Sequence, residues 1–178
     1  MDFADGNAGA PKGRRTAYIA IGSNMGDRRA ACEAAVRRIA GIPGCAVVGS
    51  SGWYWTEPVG VEGQERYLNG VVAAEAEGSP RDFLEQLLAV EKAMGRERKG
   101  RWEPRTLDLD LLLYGEEIVR EEGLLLPPPL MHLRRFVLVP LAQIAPGLLH
   151  PVLRRSVAAL LEELPQEGQA VVPWKDDE

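Results

Sequence analysis

Residues 101–115, RWEPRTLDLDLLLYG, decide what kind of sheet this chain builds. Side chains of a strand alternate between faces, so Asp108 and Asp110 share one face while Leu107, Leu109 and Leu111 share the other. Leu111-Leu112-Leu113 then puts apolar groups on both faces, the mark of a covered central strand rather than a solvated edge. Two carboxylates so close together and partly out of water repel each other unless cations sit between them. A second reading stands beside this one: an amphipathic strand whose aspartates simply face solvent.

The segment just upstream bears on that choice. Residues 96–105 read RERKGRWEPR, in which Arg96, Arg98, Lys99, Arg101 and Arg105 outnumber Glu97 and Glu103. Gly100 and Pro104 argue against a continuing helix, so a loop is expected here. A solvated charge run is the usual meaning of such a stretch. Beside an acid pair it gains another: carboxylates hold Mg²⁺, while Mg²⁺ and arginines hold phosphate oxygens.

Working outward, TAYIAIG at 16–22 reads as a first strand, SNMGD as a turn, and 28–40 as a helix ended by Gly41 and Pro43. A second strand is expected over 45–56 and a third over 67–76, YLNGVVAAEA, with EPVGVEGQER as the loop between them. Pro80 opens a second helix with Phe83, Leu84, Leu87, Leu88 and Val90 near helical spacing, and the aspartate strand follows. Strand, helix, strand, strand, helix, strand is the ferredoxin-like order. The fold class expected is therefore α+β, a ferredoxin-like antiparallel sheet with helices on both faces. A short hairpin over 117–126, the apolar stretch FVLVPLAQIAP, a helix over 154–164 and an edge strand at QAVV would cover the second face.

At 178 residues the chain suits one domain. The expected division is a disordered N-terminal extension over 1–15, a single domain over 16–173 and a solvated tail over 174–178. A net charge of −5 disfavours nucleic acid as a partner and leaves the basic loop as a local feature meeting a small phosphate. Neither a signal-peptide core nor an apolar run of membrane-spanning length is present in the sequence. Cys32 and Cys45 have no metal-type spacing, which fits a reducing cytoplasm.

Other motifs are weaker taken singly. GSNMGD lacks the Gly-Lys-Ser/Thr of a phosphate loop and reads as a tight turn with a helix cap. Tyr67 and Asn69 put a ring and an amide on one strand face, which suits the plane and edge of a flat heterocycle and equally suits ordinary sheet surface. His132 and His150 have no ligand-spaced partner, which argues against a histidine zinc site.

Taken together, AYIAIGSNMGD, SSGWYWTEPVG, YLNGVV, RWEPRTLDLDLLLYG and RRFVLVPLAQIAP resemble, in order and spacing, the 6-hydroxymethyl-7,8-dihydropterin pyrophosphokinases of folate biosynthesis, over about residues 16–165. The resemblance implies transfer of an intact pyrophosphoryl group from ATP to the pterin hydroxymethyl group, leaving AMP, in a cytoplasmic monomer with two Mg²⁺ ions bound with ATP. By matching position, it implies Asp108 and Asp110 as metal ligands, with Asp110 also catalytic, and Arg96 and Arg105 as catalytic arginines at the phosphates. It places Glu91, Arg98, Trp102 and Arg134 at ATP, and Thr56, Tyr67, Asn69 and Phe136 at the pterin. Where the family carries Pro-His-Pro this chain has Pro127-Pro128-Pro129, which removes one expected contact near ATP. A non-catalytic ferredoxin-like binding module and a different Mg²⁺-dependent phosphotransferase are the competing classes.

Overall fold

The computed structural model describes residues 13–58, 63, 65–95 and 107–176. Its main sheet holds β1 (Arg14–Ser23), β2 (Ala46–Ser50), β3 (Tyr54–Thr56), β4 (Tyr67–Glu77), β5 (Asp108–Tyr114) and, after a separate hairpin of β6 (Val119–Glu121) and β7 (Leu124–Leu126), β8 (Val171–Pro173). The order is β5-β1-β4-β3-β8, with β2 also on β4, and every pairing is antiparallel. β1 and β4 are thus the central pair, as the ferredoxin-like order requires.

Helices α1 (Arg28–Ala40) and α2 (Pro80–Ala93) lie on one face, and α3 (Arg135–Ile144) and α4 (Val157–Glu163) on the other. Local chemistry starts each of the first two: Asp27 accepts from the Ala30 N–H, and Ser79 accepts from the Asp82 N–H ahead of Pro80. Their buried residues, Ala31, Cys32, Ala35 and Ile39 on α1 and Phe83, Leu87 and Val90 on α2, meet Ile19, Ile21, Leu68, Leu109 and Leu111 of the sheet. Burial pushes the Cys32 thiol up to about 12, with help from nearby Glu33. On the opposite face Val71, Leu112 and Leu113 pack with Met131, Leu138, Leu141, Val157 and Leu160.

Several elements depart from the sequence reading. The single strand expected over 45–56 is two, β2 and β3, because Ser51 interrupts the ladder. Its N–H donates to the Val71 carbonyl and its hydroxyl accepts from the Val71 N–H, so the break leaves Val71 satisfied. Trp53 then lies over Gly70, where an added Cβ would come within 2.6 Å of the indole. β5 contains a bulge: Tyr18 pairs with Leu113 and Ile19 with Leu111, so Leu112 is the extra residue. The slip sends Leu112 and Leu113 together to the α3 face and returns Tyr114 to the first core. The unassigned FVLVPLAQIAP stretch is helical through Pro140, and the last helix is shorter than the expected 154–164.

β1 begins at Arg14, inside the expected extension, because Arg14 pairs with Glu77 in the ladder and with Glu75 and Glu77 through its guanidinium. Trp174, expected in a solvated tail, packs against the first core beneath the Arg29 guanidinium, and its backbone N–H donates to the Trp53 carbonyl. The edge strand expected at QAVV forms two residues later, over Val171–Pro173, as β8 on β3. Among the described residues no helix is long and apolar enough to cross a membrane.

Candidate functional site

The face packed by α3 and α4 carries the polar row. Antiparallel register sets Gly22 of β1 opposite Asn69 of β4 on one side and Asp108 of β5 on the other, and sets Asn69 opposite Tyr54 of β3. Ala20 stands likewise between Val71 and Asp110. Strands lie about 4.8 Å apart, so Asp108 and Asn69 stand on the order of 10 Å apart across Gly22. Asp108 is half-buried and Asp110 exposed, with Leu109 buried behind them. The alternation read from DLDL therefore holds up to the bulge.

Gly22 has a steric reason. A Cβ built on it would lie 2.6 Å from Asn69 Oδ1 and 3.6 Å from Tyr67 Cδ1. Its bare backbone lets the Asn69 amide lie toward β1, while the other end of that amide donates to Thr56 Oγ1. Thr56 is buried and pairs with Tyr67 in the ladder. Tyr54, on the same face, donates its hydroxyl to Gln143 Oε1 of α3 at 2.8 Å, and burial raises its phenol above the usual 10.0.

Two cavities border this face. One, of about 300 Å³, is lined by Leu84, Leu88, Leu124 and Leu125 together with Glu91, Asp110, Pro128 and Arg134. The other, of about 380 Å³, is bounded by Thr56, Glu57, Pro58, Phe136, Arg134 and the segment from Gly168 to Val171. Arg134 is common to both, its guanidinium carbon 5.8 Å from the centre of the Phe136 ring. Tyr67 and Asn69 are outside the second cavity's lining and join it through Thr56.

Glu91 is only 2% exposed, and its Oε1 accepts from the Leu109 N–H at 2.7 Å. It thereby ties α2 to β5 between the two aspartates. The structure thus brings Asp108, Asp110 and Arg134 together with Thr56, Tyr67, Asn69 and Phe136 on the α3 side of the sheet, while Glu91 reaches the β5 backbone from α2 on the other side. Arg96, Arg98, Trp102 and Arg105 lie outside the described residues. Sequence reading missed Gly22 as a site residue, although its place in GSN at a strand end was a signal. It also missed the leucine walls of the first cavity, which look like any helix or hairpin core in one dimension.

The donor set fits a hard divalent cation bound with a polyanion. Asp108 and Asp110 offer carboxylate oxygens on one face, which suit Mg²⁺. Among the described residues no group of three or more His, Cys, Asp or Glu could hold a metal alone, so remaining ligands would come from water and phosphate.

A family model described as 7,8-dihydro-6-hydroxymethylpterin-pyrophosphokinase (HPPK) matches residues 18–146. A 2-amino-4-hydroxy-6-hydroxymethyldihydropteridine pyrophosphokinase of Methylorubrum extorquens is 46% identical over 132 residues, 74% of this chain and 84% of that protein. The enzyme of the same name from Haemophilus influenzae is 43% identical over 136 residues, 76% of this chain and 85% of that one. Among solved structures, Plasmodium falciparum HPPK-DHPS with pteroate superposes with a TM-score of 0.65 at 11% identity, over 84% of this chain. The chain spans 42% of that longer protein, and the likeness speaks to the fold alone.

Proposed function

The chain belongs to the 7,8-dihydro-6-hydroxymethylpterin-pyrophosphokinase family, and from that premise we propose that it transfers pyrophosphate from ATP to 6-hydroxymethyl-7,8-dihydropterin on the face that carries Asp108, Gly22 and Asn69. The products are the pterin diphosphate and AMP, a step of folate biosynthesis. The observation that carries the assignment is the cross-strand row, which sets a carboxylate pair and a heterocycle-reading amide one strand apart on the same face. A pterin edge and a phosphate chain need that separation, because the reacting oxygen lies between them.

In this reading the cavity at Glu91 and Asp110 takes the nucleotide, and the cavity at Thr56 and Phe136 is continuous with the pterin site. Leucines of the first offer apolar cover to a base. Asn69 offers an amide donor and acceptor to the pterin edge, with Thr56 orienting that amide. Tyr67 and Phe136 supply ring faces. Asp108 and Asp110 would hold two Mg²⁺ ions, which when bound with ATP neutralise charge on the phosphate oxygens. Asp110, the more exposed acid, would accept the hydroxyl proton as the pterin oxygen bonds to the β-phosphorus and the α,β-bridging oxygen departs with AMP. Arg134, lining both cavities, faces the phosphates from between the substrates. Arg96 and Arg105 as phosphate contacts, Arg98 at ATP and Trp102 as cover join this proposal on sequence position alone. One chain builds the row and both cavities, which supports action as a monomer.

The test is product identity. Purified protein incubated with MgATP and 6-hydroxymethyl-7,8-dihydropterin should release AMP in step with pterin diphosphate, and should stop when Mg²⁺ is chelated. Release of ADP, or no turnover with an active relative as control, would refute the assignment.

A further inference from the structure

Gln169 sits in the turn leading into β8, beside Gly168 at φ +80°. Its side-chain amide is bonded at both ends: Oε1 accepts from the Arg135 N–H at 3.0 Å, and Nε2 donates to the Leu133 carbonyl at 3.1 Å. Those two backbone groups flank Arg134. A single amide thus bonds the peptide groups on either side of one residue, as a residue of a parallel strand neighbour would.

Arg134 has reason to need this. It is the N-cap of α3, with extended backbone at φ −113° and ψ 106°, and no side chain caps the helix from the N-cap position. The first N–H groups of a helix have no intrahelical acceptors, and Gln169 supplies one for Arg135 from a remote segment. Rotamer choice follows backbone dihedrals, so holding both neighbouring peptides limits where a long guanidinium side chain can point. The turn itself is anchored, since Val171 pairs with Thr56 in the sheet, and the segment from Gly168 to Val171 walls the second cavity.

We infer that Gln169 is a positioning residue for the transfer reaction, fixing the Arg134 backbone so that its guanidinium stands between the two substrate cavities. This rests on the reading of Arg134 as a phosphate contact. The competing role is a helix cap that stabilises α3 and leaves catalysis alone.

A double-mutant cycle in the full chain separates them. Wild type, Gln169→Ala, Arg134→Ala and the double variant are compared with MgATP and 6-hydroxymethyl-7,8-dihydropterin as substrates, and each is melted. Gln169→Ala should lower kcat/KM on the order of tenfold, with its melting point within a few degrees of wild type. Added to Arg134→Ala, it should change kcat/KM by less than about twofold, because the group it positions is already gone. Gln169→Met, which loses both hydrogen bonds at nearly the same side-chain length and adds no charge, repeats the cycle with a smaller change of shape. Full kcat/KM in the Gln169 variants beside a damaged Arg134→Ala overturns the positioning role, as do equal losses in both backgrounds. Full activity in Arg134→Ala would overturn instead the reading of Arg134 on which the inference stands.

Discussion

Replacing Gly22 by alanine tests the polar row at its middle. The new Cβ would start 2.6 Å from Asn69 Oδ1, and ordinary contact begins near 3.4 Å, so the oxygen must recede by about 0.8 Å (3.4 − 2.6). The amide is planar, and its other end donates to Thr56 Oγ1, so the bond to Thr56 is disturbed by the same movement. A neutral hydrogen bond contributes on the order of 1 kcal/mol, and misplacing a positioning group by about 1 Å lowers rate on the order of 100-fold. Gly22→Ala should therefore lower kcat/KM for the pterin by roughly 10- to 100-fold, about 1.4 to 2.7 kcal/mol. The KM for ATP should change little, because the nucleotide cavity lies on the Asp110 side of the row. Alanine in a strand recovers about 0.5 to 1 kcal/mol of backbone entropy relative to glycine, which keeps the melting point near wild type. Steady-state AMP release with each substrate varied in turn reads both effects. A pterin kcat/KM within about twofold of wild type, in a folded variant, would refute the steric account of Gly22.

Asp110→Asn removes a charge from an exposed position without changing shape, so turnover should fall on the order of 100-fold or more at unchanged melting temperature; near-normal turnover would sink the metal-and-proton role. Pro128 lines the same cavity as Glu91 and Asp110, and Pro128→His should lower the KM for ATP several-fold with the pterin KM unchanged; a stable variant with unaltered ATP kinetics would mean another group already makes that contact. Burial, then the charge of His132, holds His150 below its ordinary 6.5, and its Nδ1 accepts from the N–H groups of Val152 and Leu153. The unfolded chain takes up this proton first as pH falls, so the contribution to stability is full above 6.5 and lost as pH drops through the folded value. His150→Asn should flatten the fall of melting temperature as pH drops below His150's ordinary 6.5, and an unchanged slope in that variant would contradict it.

The sequence alone was enough wherever a signal is local. DLDL declares its acidic face because period-two alternation needs no partner strand, and the Ser79-Pro80 start of α2 is legible because a cap bonds within one turn. Element order was enough for the ferredoxin-like sheet, since short connections leave few ways to pair four strands around two helices. Asp108, Asn69 and Tyr67 could be named for the same reason: their faces follow from strand period, and the resemblance attached chemistry to each.

Tertiary structure decided who stands beside whom. Gly22 matters only because register brings Asn69 and Asp108 to its flanks, and register is a property of strands far apart in sequence. The Leu112 bulge and the Ser51 break are likewise settled by fit to β1 and β4, against the plain alternation of their own segments. Pro140 argues locally against a helix, yet the burial of Val137, Leu138 and Leu141 on the sheet outweighs one missing hydrogen bond. Glu91 is named in the sequence only through the resemblance, and its bond to the Leu109 N–H exists only once α2 docks on β5. Gln169 carries no local pattern at all. Its importance exists only where the chain returns along β3 and meets the start of α3, because a side-chain amide acquires a role from the two peptides it spans, and folding alone brings those peptides to it.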